Sequence, residues 1–141
     1  MSVQAILAPV FVLVALTFGL LVWMGGVRLA AVRRGEVRVK DISLGQSNWP
    51  PRAQQISNCF TNQFQLPMLF YVLTVLALFL KKADLLFVLM AWVFVVLRIL
   101  HAAIHVTSNH VGHRFQAFAG AAIVLLLMWI VFAVRILLLQ S

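Results

Sequence analysis

Residues 85–114 read LLFVLMAWVFVVLRILHAAIHVTSNHVGHR. From Leu85 to Leu97 the run is apolar apart from the indole of Trp92. Then Arg98, His101 and His105 follow at intervals of three and four, which places them on one face of a helix. All four histidines of the chain lie in this stretch. An apolar stretch of about 20 residues crosses a bilayer as a helix, so residues 84–106 are expected to span a membrane.

Three further runs are of the same kind, at about residues 6–29, 57–80 and 115–139. None shows strand-like alternation over a comparable length. Of the 141 residues, 64% are hydrophobic and 10% are charged. A water-soluble domain of this size has too large a surface-to-volume ratio to hide that much apolar area. The fold class is therefore an all-α integral membrane protein, a single domain over residues 1–141 built as a four-transmembrane-helix bundle. The second and third connections are short, which makes neighbouring helices antiparallel. The first run is too long in its apolar core for a signal peptide and lacks a basic region before it, so it reads as a retained helix.

The long loop, about residues 30–56, holds Gly35, Gly45 and Pro50-Pro51, and the proline pair stops a helix running through from the first span. The net charge is +8, but the basic residues flank apolar runs. There they act as topology signals or contacts to anionic lipid, and no nucleic-acid partner is expected. Arg28, Arg33, Arg34, Arg38, Lys40 and Arg52 place the first loop in the cytoplasm with the 107–114 turn, and both termini on the non-cytoplasmic side. Lys81-Lys82 runs against this. The short chain points to a bacterial inner membrane. Cys59 is the single cysteine and forms no internal disulfide.

Two spans carry polar residues. Asn58, Asn62 and Gln65 are spaced four and three apart and share a face of the second helix. Pro67 should kink that helix and free a carbonyl that needs a partner. Arg98 lies about 21 Å along the third helix from Asp84. A charge at that depth costs roughly 2.5–3.5 kcal/mol on insertion scales. The acids are only Glu36, Asp41 and Asp84, and none is in the middle of a span. Arg98 is thus either solvated by water and amide oxygens or paired with an exogenous anion. His101 and His105 have a spacing that can chelate a metal, but no HExxH and no nearby carboxylate accompany them, so no metal is expected. Trp23, Trp92 and Trp129 are expected to face lipid or anchor packing, Trp49 to sit at the interface, and Arg135 to snorkel outward.

NQFQLPMLFY (62–71), a short basic turn and WVFVVLRILHAAIHVTSNHVGHRF (92–115) together resemble the MAPEG family, membrane-associated proteins in eicosanoid and glutathione metabolism. The likeness covers about residues 52–118, and the four-span layout fits the whole chain. Glutathione-using members carry Arg-x3-Asn-x2-Glu on the second helix. Here Asn62 matches the Asn, Asn58 stands in place of the Arg and Gln65 in place of the Glu. Prostaglandin-E-synthase-like members carry Arg-x2-His-x3-Tyr and an Arg nine residues on. Arg98, His101 and Arg114 match, and His105 stands in place of the Tyr.

The resemblance implies a homotrimer, with sites between the second helix of one subunit and helices of the next. It implies glutathione bound by Asn58, Asn62, Gln65, Arg98, His101 and His105, with Arg114 as the catalytic residue that activates its thiol. The activity implied is that of a glutathione transferase or peroxidase acting on apolar, lipid-like electrophiles. The family also contains a member that binds lipid and a partner protein without catalysis. That leaves a non-catalytic lipid-binding or accessory role on the same scaffold as the alternative.

Overall fold

A computed structural model describes residues 1–45 and 48–139. Five α-helices follow in order: α1 (Val3–Arg33), α2 (Pro51–Asn62), α3 (Leu66–Phe79), α4 (Leu85–Val106) and α5 (Val111–Leu137), with a 3-10 turn at Val39–Asp41. Taking α2 and α3 together, four segments are long and apolar enough to cross a membrane. No strand occurs among the described residues.

The four expected spans are present, but their ends differ. α1 continues to Arg33 and α2 begins at Pro51, so the first loop is 34–50 rather than 30–56. Hydropathy marks where a helix is apolar, whereas its ends are set by caps. Ser2 caps α1 by accepting the Ala5 amide at 3.1 Å, and Pro51 occupies the first turn of α2, where a missing N–H costs nothing.

The second span is broken rather than kinked. Pro67 has no N–H to offer Gln63, and its ring crowds that residue's carbonyl. The helix therefore stops at Asn62 and restarts at Leu66, with Gln65 as the N-cap of α3 at φ −98°, ψ −106°. Three tight bonds carry the chain across: Gln63 N to the Phe60 carbonyl, Phe64 N to Thr61 and Gln65 N to Asn62, at 3.0–3.2 Å.

α4 is the central helix, packed on α1, α2 and α5. Its buried face includes Phe87, Val88, Ala91, Phe94 and Val95, then Arg98, His101 and His105. Phe94 stacks on Phe70 of α3 at 4.9 Å between ring centroids. Leu13, Leu73, Ala121, Leu125 and Met128 complete this core. A smaller cluster of Leu20, Ile56, Cys59, Ala102 and Val106 packs α1, α2 and the end of α4 together. Large side chains such as Val22, Phe79 and Leu89 are exposed, as suits helices whose outer faces meet lipid chains.

The turn between α3 and α4 is pinned from α5. Asp84 caps α4, with Oδ1 accepting the Phe87 amide at 3.0 Å, and its Oδ2 meets Arg135 Nη2 at 2.7 Å. Arg135 thus reaches back to this turn instead of only snorkelling outward. The bond from Arg135, aided by the Phe87 amide, holds the Asp84 carboxyl below its ordinary range. A carboxylate whose folded pKa is depressed stabilises the fold above its unfolded pKa, and that stabilisation is lost as pH falls through the folded value. Asp84→Asn should lower the melting temperature in detergent at neutral pH. Its difference from the parent should shrink as the pH is brought below the ordinary carboxylate range. A pH-independent difference would remove the charge from this explanation.

Candidate functional site

The helix break and the end of α4 face the start of α5 across a cavity of about 480 Å³. That volume lies within the range of small-molecule sites. α2 supplies Asn58, Thr61 and Asn62, the break supplies Gln65, α4 supplies His101 and His105, and α5 supplies Val111, Arg114, Phe115 and Phe118. Six of the seven residues singled out in the sequence therefore line one space: Asn58, Asn62, Gln65, His101, His105 and Arg114.

Arg98 lies behind that wall. It is fully buried, and its Nη2 donates to the Asn62 side-chain oxygen at 2.5 Å and to the Asn62 carbonyl at 3.3 Å. The amide oxygens considered as solvation for this guanidinium are thus its partners. One is the last carbonyl of α2, which also accepts the Gln65 amide across the break. Asn62 in turn donates from Nδ2 to Gln65 Oε1 at 2.8 Å. A chain of contacts therefore runs from the buried charge to the cavity wall.

The histidine side of the wall is not saturated. The His101 and His105 rings meet edge to face at 5.6 Å, and His101 tilts against Phe118 at 5.9 Å. Nδ1 of each is buried without a protein partner. Both nitrogens are closed off from solvent, so they lie behind the cavity surface and not on it. No aspartate or glutamate lines the cavity. With Arg114 in the wall and Arg98 behind it, the space favours an anion.

Arg114 is held in place from the turn before α5. Its Nη1 donates to Asn109 Oδ1 at 2.7 Å, and no other side-chain partner of Arg114 occurs among the described residues. α4 ends at Val106, so Asn109 does not continue the α4 row as it would on a longer helix. Instead it adopts φ +51°, a conformation that asparagine tolerates better than most residues. Its amide bonds the Ile104 carbonyl at 2.7 Å. His110 then caps α5, with Nδ1 accepting the His113 amide at 3.1 Å.

The end of α4 is held from α2. Gln55 Nε2 donates to the His105 carbonyl at 2.7 Å and to the Thr107 carbonyl at 3.2 Å, while Arg52 Nη1 donates to the Val106 carbonyl. These bonds satisfy helix-terminal carbonyls that would otherwise be open.

Sequence reasoning missed several members of the site. Thr61 and Phe118 were findable in principle, because Phe118 lies one turn beyond Arg114 and Thr61 one turn beyond Asn58. Gln55 and Arg52 left no local signal, because their partners are about 50 residues away.

The model of the family described as "MAPEG family" matches residues 6–134. No curated protein and no solved structure matches the chain significantly.

Proposed function

The chain belongs to the MAPEG family, and on that premise we propose that it is a glutathione-dependent transferase or peroxidase acting on apolar electrophiles held in the membrane. The observation that carries this reading is the cavity itself. It combines an arginine, three side-chain amides and two histidines, has no aspartate or glutamate, and is rimmed by Val111, Phe115 and Phe118. Such a wall suits a small anionic peptide on one side and an apolar molecule on the other. Val111 and Phe115 are exposed in the single chain, which fits completion of the site by a second copy in a homotrimer.

Glutathione, if bound, would supply a thiolate nucleophile for an electrophilic carbon that carries a leaving group, its thiol proton having gone to bulk water. Arg114 supplies the positive charge that favours thiolate over thiol. Asn109 keeps the Arg114 guanidinium turned into the cavity. Asn58, Asn62 and Gln65 offer amide donors and acceptors matched to a peptide backbone and its carboxylates. Arg98 anchors Asn62 and adds positive potential without entering the wall.

Thiol consumption should be followed with the protein in lipid vesicles, using reduced glutathione and an apolar aryl halide. A saturable, protein-dependent rate supports the reading, and a rate no higher than that of protein-free vesicles contradicts it. Gln65→Glu in the same assay replaces a neutral hydrogen-bonding group by a charged one beside Asn62. A carboxylate there gives the α-ammonium group of glutathione a charge-assisted bond in place of a neutral one, worth about 1 kcal/mol more, so the affinity for glutathione should rise about fivefold.

The second reading is a non-catalytic lipid-binding or accessory protein. It is favoured by the same neutral residues, Asn58 and Gln65, where glutathione-using relatives carry charge. Under it, the parent binds no glutathione and Gln65→Glu restores affinity; a variant that binds no better than the parent would count against the lost carboxylate as the explanation.

A further inference from the structure

A second cavity, of about 300 Å³, opens at the other side of α2, between its first turn and the end of α1. Trp23, Arg34, Glu36, Pro50, Arg52 and Ala53 form much of its wall. It shares no lining residue with the site above. Its position is the basic end of the bundle, where Arg28, Arg33, Arg34 and Arg52 collect.

The four arginines are not equivalent. Arg28 is committed: it donates to the Ser57 hydroxyl at 2.6 Å and lies over the Trp49 ring at 4.7 Å. Arg52 is half committed, with its guanidinium over the Trp23 ring at 5.2 Å and a bond to the Val106 carbonyl. The Trp23 contact fixes Arg52 at the cavity wall at little entropic cost. Arg34 is exposed, lines the cavity, and has no side-chain partner among the described residues. Glu36 also lines the cavity and forms no ion pair among the described residues, so two arginines stand against one carboxylate in the wall.

Below the cavity, on the membrane side, α1 presents Phe18, Val22 and Trp23 outward. Gly26 lines the opening, and a Cβ added there would meet nothing within 4 Å. A basic recess above an exposed apolar helix face, with a tryptophan at the junction, has the layout that an anionic phospholipid requires. The phosphodiester meets the guanidinium groups and the acyl chains lie along the helix. We propose that the recess between the end of α1 and the start of α2 is a binding site for the phosphodiester head group of an anionic phospholipid, held by Arg34 and Arg52.

The full chain, stripped of lipid in detergent, is equilibrated with mixed micelles of phosphatidylcholine and phosphatidylglycerol, and retained lipid is counted by native mass spectrometry. The parent should retain phosphatidylglycerol in preference to phosphatidylcholine. Arg34→Gln should weaken that preference about fivefold, as expected for loss of one basic contact. Arg34 is the residue to change, because Arg52→Gln would also release the end of α4. Gly26→Leu should weaken retention by narrowing the opening with no change of charge, and Glu36→Gln should strengthen it. Equal retention of the two lipids by the parent, or equal retention by parent and Arg34→Gln, would overturn the proposal. Inorganic phosphate is added in a parallel arm. Binding of phosphate with the same dependence on Arg34, but without any phosphatidylglycerol preference, would assign the recess to free phosphate and overturn the lipid assignment.

Discussion

Arg114→Ala should lower glutathione turnover by about 100- to 1,000-fold, the usual loss when one preorganised charge-stabilising donor is removed. Arg114 is the charged side chain in the cavity wall, and Asn109 holds its guanidinium at 2.7 Å. Its one side-chain hydrogen bond among the described residues is to Asn109 in the adjacent turn, so its removal breaks no bond between helices. Assembly and melting temperature should therefore stay near those of the parent. The pH profile should change as well. A guanidinium beside the bound sulfur lowers the thiol pKa below its free value of about 8.5. Without it the pKa moves back up, so the residual rate of Arg114→Ala should climb with pH through a range where the parent's rate is already level. Arg114→Lys keeps the charge but loses the planar fork that Asn109 orients. It should recover the parent's pH profile and only part of its rate. Unchanged turnover in Arg114→Ala would remove this residue from the mechanism.

Arg98→Met should separate stability from binding. Burying the Arg98 charge costs roughly 2.5–3.5 kcal/mol. Its bonds to Asn62 return about 1.5–3 kcal/mol for a charged hydrogen bond. The bonds do not outweigh the cost, because Nε and Nη1 are buried without a partner, and methionine fills a similar length of core with no charge to bury. The melting temperature should therefore hold or rise. Glutathione affinity should nevertheless fall by about tenfold or more, because Asn62 loses its anchor and the cavity loses positive potential. A large loss of stability would make Arg98 a structural pin of the helix break. An unchanged affinity would separate it from the site altogether. Both quantities are readable on one preparation, by thermal unfolding and by ligand titration.

These two arginines also mark how far the sequence could be read. The four spans were legible because each is a stretch of membrane-crossing length and high mean hydropathy with few charges inside it. The stripe of Arg98, His101 and His105 was legible because helical spacing is rigid within one helix, and all three do lie on the buried face of α4. The second stripe held for a less simple reason. Asn58, Asn62 and Gln65 line one cavity, yet Gln65 lies beyond the break, and its backbone and side-chain bonds to Asn62 keep it with the others. Pro67 announced a disturbance, but a kink and a full break differ by whether the freed carbonyls find partners elsewhere. One of the partners at the break is Arg98, on another helix. The same limit hid Arg52 and Gln55, whose bonds to the end of α4 exist only once α2 and α4 are packed.

The family match extends over residues 6–134, wider than the stretch of about 52–118 on which the motifs rest. It places the chain among proteins of this architecture, while Asn58, Gln65 and His105 set this cavity apart from the glutathione-using pattern. Whether the exchange of charge for amide retunes the site or empties it of glutathione is a question of affinity. Calorimetric titration of reduced glutathione into the detergent-purified protein, with Arg98→Met alongside, decides it. Saturable binding by the parent, weakened in the variant, is the expected result. No saturable heat from the parent would contradict the account and turn the cavity over to a different anion.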